Sequence, residues 1–223
     1  MSPAWVIGAC LAAGVVVGLA WVPLVPVFGQ RSAEALDQPG WTRIFASRFF
    51  LAGVCAALFA SAALRLDGAP HLAPALLLCA VLVGVTAVDL RYRIIPNRVV
   101  LPAAVVGYAV SVALAPDRWL ELLIGALAAG SLMLLAAMAS PSGLGMGDVK
   151  LALMLGAFLG KGVAVALLGG LLAAALPSIG LLLVHGRGGR RMTLALGPYL
   201  ALGGVVAVLF GHDVMHWYWA QGR

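Results

Sequence analysis

Charge is scarce in this chain. Only 10% of its 223 residues are charged and eight are acidic, where a soluble domain carries about a quarter charged residues. With 63% hydrophobic residues, that scarcity excludes an ordinary water-soluble domain and indicates a polytopic membrane protein. Cysteine is also sparse. Cys10, Cys55 and Cys79 lie in separate apolar runs with no C-x-x-C, which excludes a disulfide framework and a cysteine-built zinc site. There is no H-E-x-x-H, and His71, His185, His212 and His216 fall in loops or the tail, which leaves no Ser-His-Asp set. His212 and His216 are four apart but have no third ligand nearby. No phosphate-binding glycine pattern follows a strand, and no strand pattern is present. The first apolar run has no basic region before it and reads as a span, not a cleavable signal.

What the chain does have is long apolar runs. A helical crossing needs roughly 20 such residues, and candidates fall at 4–27, 46–65, 71–89, 97–115, 119–139, 148–160, 162–184 and 193–211. The expected fold is all-α, with about eight transmembrane helices forming a single domain over 1–223. The sixth run is short for a full crossing. Pro177 is expected to kink the seventh helix, and Pro198, beside Gly197, the eighth. Small residues over Gly160–Gly170 suit close helix contacts, and Trp217, Tyr218 and Trp219 suit an interfacial belt.

The net charge of +6 reads as topology. If loops alternate sides, one side holds Arg31, Arg43, Arg48, Arg91, Arg93, Arg98, Lys150, Arg187, Arg190 and Arg191. The other holds Arg65, Arg118, Lys161 and Arg223. The richer side is cytoplasmic by the positive-inside rule, so both termini face outward and 28–47 is a short cytoplasmic loop. The basic residues then meet membrane lipids, and nucleic acid is not an expected partner. Asp89 and Asp148 fall at the same cytoplasmic edge.

Those two aspartates are the unusual feature. A carboxylate at the edge of a hydrocarbon span costs roughly 3 kcal/mol on insertion scales, so it usually serves a purpose. Asp89 ends Val85-Thr86-Ala87-Val88-Asp89; Asp148 follows Gly143-Leu144-Gly145-Met146-Gly147. Two carboxylates sharing a site do not both ionise freely, so one keeps its proton. The ionised member can take a proton from attacking water while the other donates to a carbonyl oxygen, which is aspartic-protease chemistry. The plainer readings are a helix-end aspartate paired with Arg91 or Arg93, and a helix cap at Asp148. Glu121, near Arg118, reads as an interfacial residue.

Four segments carry a resemblance. Gly145-Met146-Gly147-Asp148 resembles the G-x-G-D motif of membrane aspartyl proteases, and in particular of the prepilin (type IV leader) peptidases. Asp89 followed by Ile94-Ile95-Pro96-Asn97, then Leu101-Pro102, resembles that family's first-aspartate segment. Leu196-Gly197-Pro198-Tyr199 resembles its Gly-Pro-aromatic stretch. The resemblance covers about residues 85–205. It implies an aspartic endopeptidase whose catalytic pair is Asp89 and Asp148, with Gly145 and Gly147 shaping the loop that presents Asp148. Lys150, Pro96, Asn97, Gly197 and Pro198 match by position as substrate or structural support. The implied substrates are type IV pilin or pseudopilin precursors, whose basic leader is cut just before a hydrophobic stretch. The implied location is the bacterial inner membrane, with the active site facing the cytoplasm.

The N-terminal part departs from the fuller family pattern. Fuller enzymes carry a cysteine-containing zinc motif in the first cytoplasmic loop and N-methylate the product with S-adenosylmethionine. The 28–47 loop here has no cysteine, and Gly18–Pro23 stands where a Gly-Ser-Phe-x-Asn-type segment is usual. Neither zinc nor S-adenosylmethionine is therefore an expected cofactor. The competing class is a proton-coupled transporter or channel using Asp89 and Asp148 as a relay, which would place them near the midplane with repeat symmetry between halves. An inactive relative acting as an assembly scaffold is a third possibility, opposed by retention of both aspartates.

Overall fold

The apolar sequence around Asp148 continues through Val149, Leu151, Ala152, Met154, Leu155, Ala157 and Phe158, and all of these are buried. A helix apolar on every side belongs inside a bundle. In the computed structural model, which describes residues 4–29, 47–66, 69–139, 144–185 and 195–221, that helix is the hub. Eight α-helices occur among these residues: α1 Ala4–Gly29, α2 Arg48–Arg65, α3 Ala69–Tyr92, α4 Asn97–Leu114, α5 Trp119–Ala139, α6 Met146–Leu159, α7 Val163–His185 and α8 Gly197–Gln221. No strand is present among them. Among the described residues, six stretches are long and apolar enough to cross a membrane, the last running through α6 into α7. The fold is that of an all-α polytopic membrane protein.

The hub α6 packs against α5, α4, α8, α7 and α3. Leu82 and Val85 of α3, Leu151, Met154 and Leu155 of α6, and Leu200 of α8 form the buried centre. Leu127, Leu135, Leu172 and Leu176 stay exposed on the outside, as a lipid-facing surface requires. The three cysteines are buried and unpaired. On the α1 side, the Trp21 Nε1–H donates to Ala80 O (2.9 Å), tying α1 to α3. At the start of α2, the Phe50 N–H donates to Ser47 Oγ (3.3 Å), a side-chain cap.

Several boundaries differ from expectation for local reasons. α3 runs three residues past Asp89, to Tyr92, so Asp89 sits in its last turn. α8 starts at Gly197, so Pro198 lies in its first turn, where a missing N–H costs nothing, and does not kink it. α6, with 14 residues, spans about 21 Å, less than the roughly 30 Å hydrocarbon core. The 3-10 turn Gly160–Gly162 takes over, with Gly160 at φ 56°. α7 and α8 meet through small residues: a Cβ on Gly170 would stand 2.9 Å from Tyr199 O. Positions 30–46 of the 28–47 loop, Arg31, Arg43, Arg187, Arg190, Arg191 and Arg223 lie outside the described residues. So do the side chains of His185, His212, His216, Tyr218 and Trp219.

Candidate active site

The last turn of α3 ends with Arg93 in the left-handed region, at φ 52°. Its N–H returns to Asp89 O (2.7 Å), which closes the helix with an αL cap. Such backbone costs a non-glycine residue about 1 kcal/mol. The chain then leaves the helix through Ile94 and Ile95, the latter disfavoured from helical backbone by the proline that follows. Buried Pro96 caps α4, its carbonyl accepting the Val99 and Val100 N–H groups at 2.9 and 3.1 Å. Asn97, first in α4, is exposed, as are Arg91, Arg93 and Arg98. The Arg91 guanidinium lies 5.4 Å from the Tyr92 ring centroid.

Asp148 stands on the first turn of α6, whose N-cap is Gly145. The Gly145 N–H donates to Asp148 Oδ2 (3.1 Å), and the Asp148 N–H donates to Gly145 O (3.0 Å). Part of the capping reading is therefore real, although Asp148 occupies the third helical position and not the cap itself. Gly147 lies within the helix, not in a loop. Gly145, at φ −83° and ψ 149°, adopts backbone open to any residue. The glycine requirement at 147 comes from a neighbour: a Cβ there would stand 2.8 Å from Ile95 Cβ. Lys150, one turn on, is half-buried.

The start of α8 completes the site. Gly197 is buried, with Pro198 half-buried beside it. A Cβ on Gly197 would overlap Asp89 Oδ2 and stand 3.4 Å from Ile95 Cδ1. The C-terminal turn of α3 and the N-terminal turns of α6 and α8 thus converge, and the positive ends of two helix dipoles face the carboxylates. Asp89 is 4% exposed and Asp148 9%, where aspartates are almost never this buried without partners. The two are near enough for their charges to act on each other, and Arg93 and the Gly197 N–H also act on the Asp89 carboxylate. Yet Oδ2 of Asp89 has no hydrogen-bond partner among the described residues. A buried acceptor left open is costly and calls for an explanation, such as a substrate or water that completes it.

The remaining charged residues within the bundle behave differently. Glu121 accepts from Arg118 Nη2 at 3.3 Å and from the Lys161 backbone N–H at 3.2 Å, an ion-pair knot at the other end of the bundle. It lines a cavity of about 520 Å³ with Arg118, Lys161, Ser111 and Phe158, and neither aspartate lines it. The carboxylate in this cavity is already paired, so the chemistry belongs to the other end. The sequence segments bring Asp89, Asp148, Gly147 and Gly197 together, while Pro96 is buried in the adjoining turn and Asn97 is exposed. Ile95, quoted within the Ile94-Ile95-Pro96-Asn97 turn but given no site role by the sequence, lies among them; its signal was a bulky residue just before Pro96 in that short turn.

Fold and site together define a membrane-embedded protein with a buried carboxylate pair at one end of a helical bundle. Residues 76–182 match the model of the type IV leader peptidase family. The chain belongs to that family. It is 32% identical over 74% of its length to a prepilin leader peptidase/N-methyltransferase of Bacillus subtilis (strain 168), covering 66% of that protein. It is 34% identical to a protein of the same name from Aeromonas hydrophila, over 65% of this chain and 51% of that one. A third, from Xanthomonas campestris pv. campestris, is 33% identical over 65% of this chain and 52% of that protein. The chain thus spans about half to two thirds of the length of the curated relatives it matches. No solved structure matches it.

Proposed function

We propose that the chain is a membrane aspartic endopeptidase that removes the basic leader from type IV prepilin-like precursors. Asp89 and Asp148 form its catalytic pair at the cytoplasmic edge of the inner membrane. The observation that carries this reading is the burial of both carboxylates at one end of the bundle, with Asp89 Oδ2 left without a hydrogen-bond partner among the described residues. The family membership supports the reaction and the class of substrate; neither gives support to transport.

In the proposed reaction the ionised carboxylate accepts a proton from water as the water oxygen bonds to the scissile carbonyl carbon. The protonated partner donates to the carbonyl oxygen, so the tetrahedral intermediate forms without a free charge. As the C–N bond breaks, the first carboxyl returns its proton to the leaving amine. The second recovers its proton from the collapsing hydroxyl. The pair ends where it began, with one proton between two carboxyls.

The relatives' name pairs the peptidase with an N-methyltransferase, and methylation is not proposed for this chain. The 28–47 loop contains no cysteine, which supports a peptidase working without zinc or S-adenosylmethionine. The test is a purified enzyme with a small precursor bearing a basic leader, alongside Asp89→Asn and Asp148→Asn. Cleavage by the wild type and by neither variant is expected. Full cleavage by either variant would sink the mechanism.

A further inference from the structure

Ile95 links features that the motifs leave separate. Arg93, with its positive φ, ends α3, and Pro96 disfavours helical backbone at the residue before it. The Ile95 side chain is thereby lodged between the starts of α6 and α8. A Cβ on Gly147 would come within 2.8 Å of its Cβ and 3.4 Å of its Cγ1 and Cδ1; one on Gly197 would come within 3.4 Å of Cδ1. Unbonded carbons rest near 3.5 to 4.0 Å, so a methyl group at 147 would force the turn and α6 apart by about 0.7 Å. The obstacle is a Cβ fixed to the backbone, so no change of rotamer removes it.

We propose that Ile95 is a positioning residue for the carboxylate pair, a wedge whose size sets the separation of Asp89 and Asp148. This inference rests on the peptidase reading. Ile95 lies two residues beyond the cap that closes the turn carrying Asp89, and its side chain bears on Gly147, the residue before Asp148. A change in its bulk at Cβ therefore reaches both carboxyls. Its half-buried position argues that bulk at this point, more than burial, is what matters. The same wedge accounts for glycine at motif position 147 and reaches ordinary contact distance at 197, where the close neighbour is Asp89 itself. It touches no reacting atom and acts only through the two aspartates.

The test is a methyl transplant in the full chain, purified in detergent. Gly147→Ala should lower kcat about a hundredfold, the loss that a misplacement near 1 Å produces, with KM little changed. Ile95→Gly removes the opposing Cβ, so the double variant Gly147→Ala with Ile95→Gly should be more active than Gly147→Ala alone. Ile95→Ala should lower kcat and displace the pH profile of kcat, while Ile95→Val, which keeps both branches at Cβ, should restore both. If Gly147→Ala unfolds, the double variant should regain the helical circular dichroism. A double variant that shows the product of the two single losses, or an Ile95→Ala enzyme altered only in KM, would overturn the positioning role. A wild-type chain that cleaves no precursor would take down the peptidase reading, and this role with it. Additive losses in an active enzyme would take down this role alone.

Discussion

A Cβ on Gly197 would overlap Oδ2 of Asp89, the buried oxygen that has no hydrogen-bond partner among the described residues. The first turn of α8 therefore forms one wall of the space around that oxygen. Gly197→Ala should push the carboxylate out of place and lower kcat about a hundredfold. The fold should survive, because the displaced atom is the tip of a side chain and not backbone. Kinetics and circular dichroism on the same preparation check this; a Gly197→Ala enzyme with wild-type kcat would show that the approach is immaterial.

Gly145 offers the contrast. Its backbone is open to any residue, and a Cβ there would meet Asp148 Oδ2 at an ordinary 3.4 Å. The N–H that it donates to Asp148 is retained in alanine. Gly145→Ala should remain nearly as active as the wild type, where Gly147→Ala should not. The ratio of kcat values for the two variants is the measurement.

Arg93 carries both a charge that acts on Asp89 and a strained backbone. Arg93→Ala removes the charge and keeps the strain; Arg93→Gly removes both. The glycine variant should be more stable than the alanine variant by about 1 kcal/mol. Comparing their unfolding curves isolates the backbone contribution. Any loss of activity due to charge should be common to the two.

Glu121 is the acid that the reading leaves out of catalysis. Its side chain is 27% exposed and already paired with Arg118. Such a pair contributes about 0.5 kcal/mol. Glu121→Gln should leave cleavage unchanged and lower stability only slightly. Loss of cleavage with the fold intact would mean that the ionic knot at the far end matters to the reaction.

Much of this was legible in the sequence because membrane helices announce themselves as apolar runs, and the eight expected runs correspond to eight helices among the described residues. The ends were less legible. Pro198 looked like a kink because its run was begun at 193; a helix that starts at Gly197 puts the proline where it is harmless. The aspartates stood out as rare charges in an apolar chain, and motif spacing added Gly147 and Gly197. The reason for those glycines did not show. It lies in contacts with Ile95 and Asp89, and neither residue type nor local spacing encodes a partner so distant in the chain.

The central claim is that Asp89 and Asp148 together hydrolyse a peptide bond. The most direct measurement is mass spectrometry of a precursor incubated with purified wild-type chain, Asp89→Asn and Asp148→Asn, each variant first shown to be folded. The account predicts that the wild type alone yields the product, shortened by its leader and carrying an unmethylated N-terminus. A product of that mass from a folded Asp89→Asn or Asp148→Asn enzyme would contradict it.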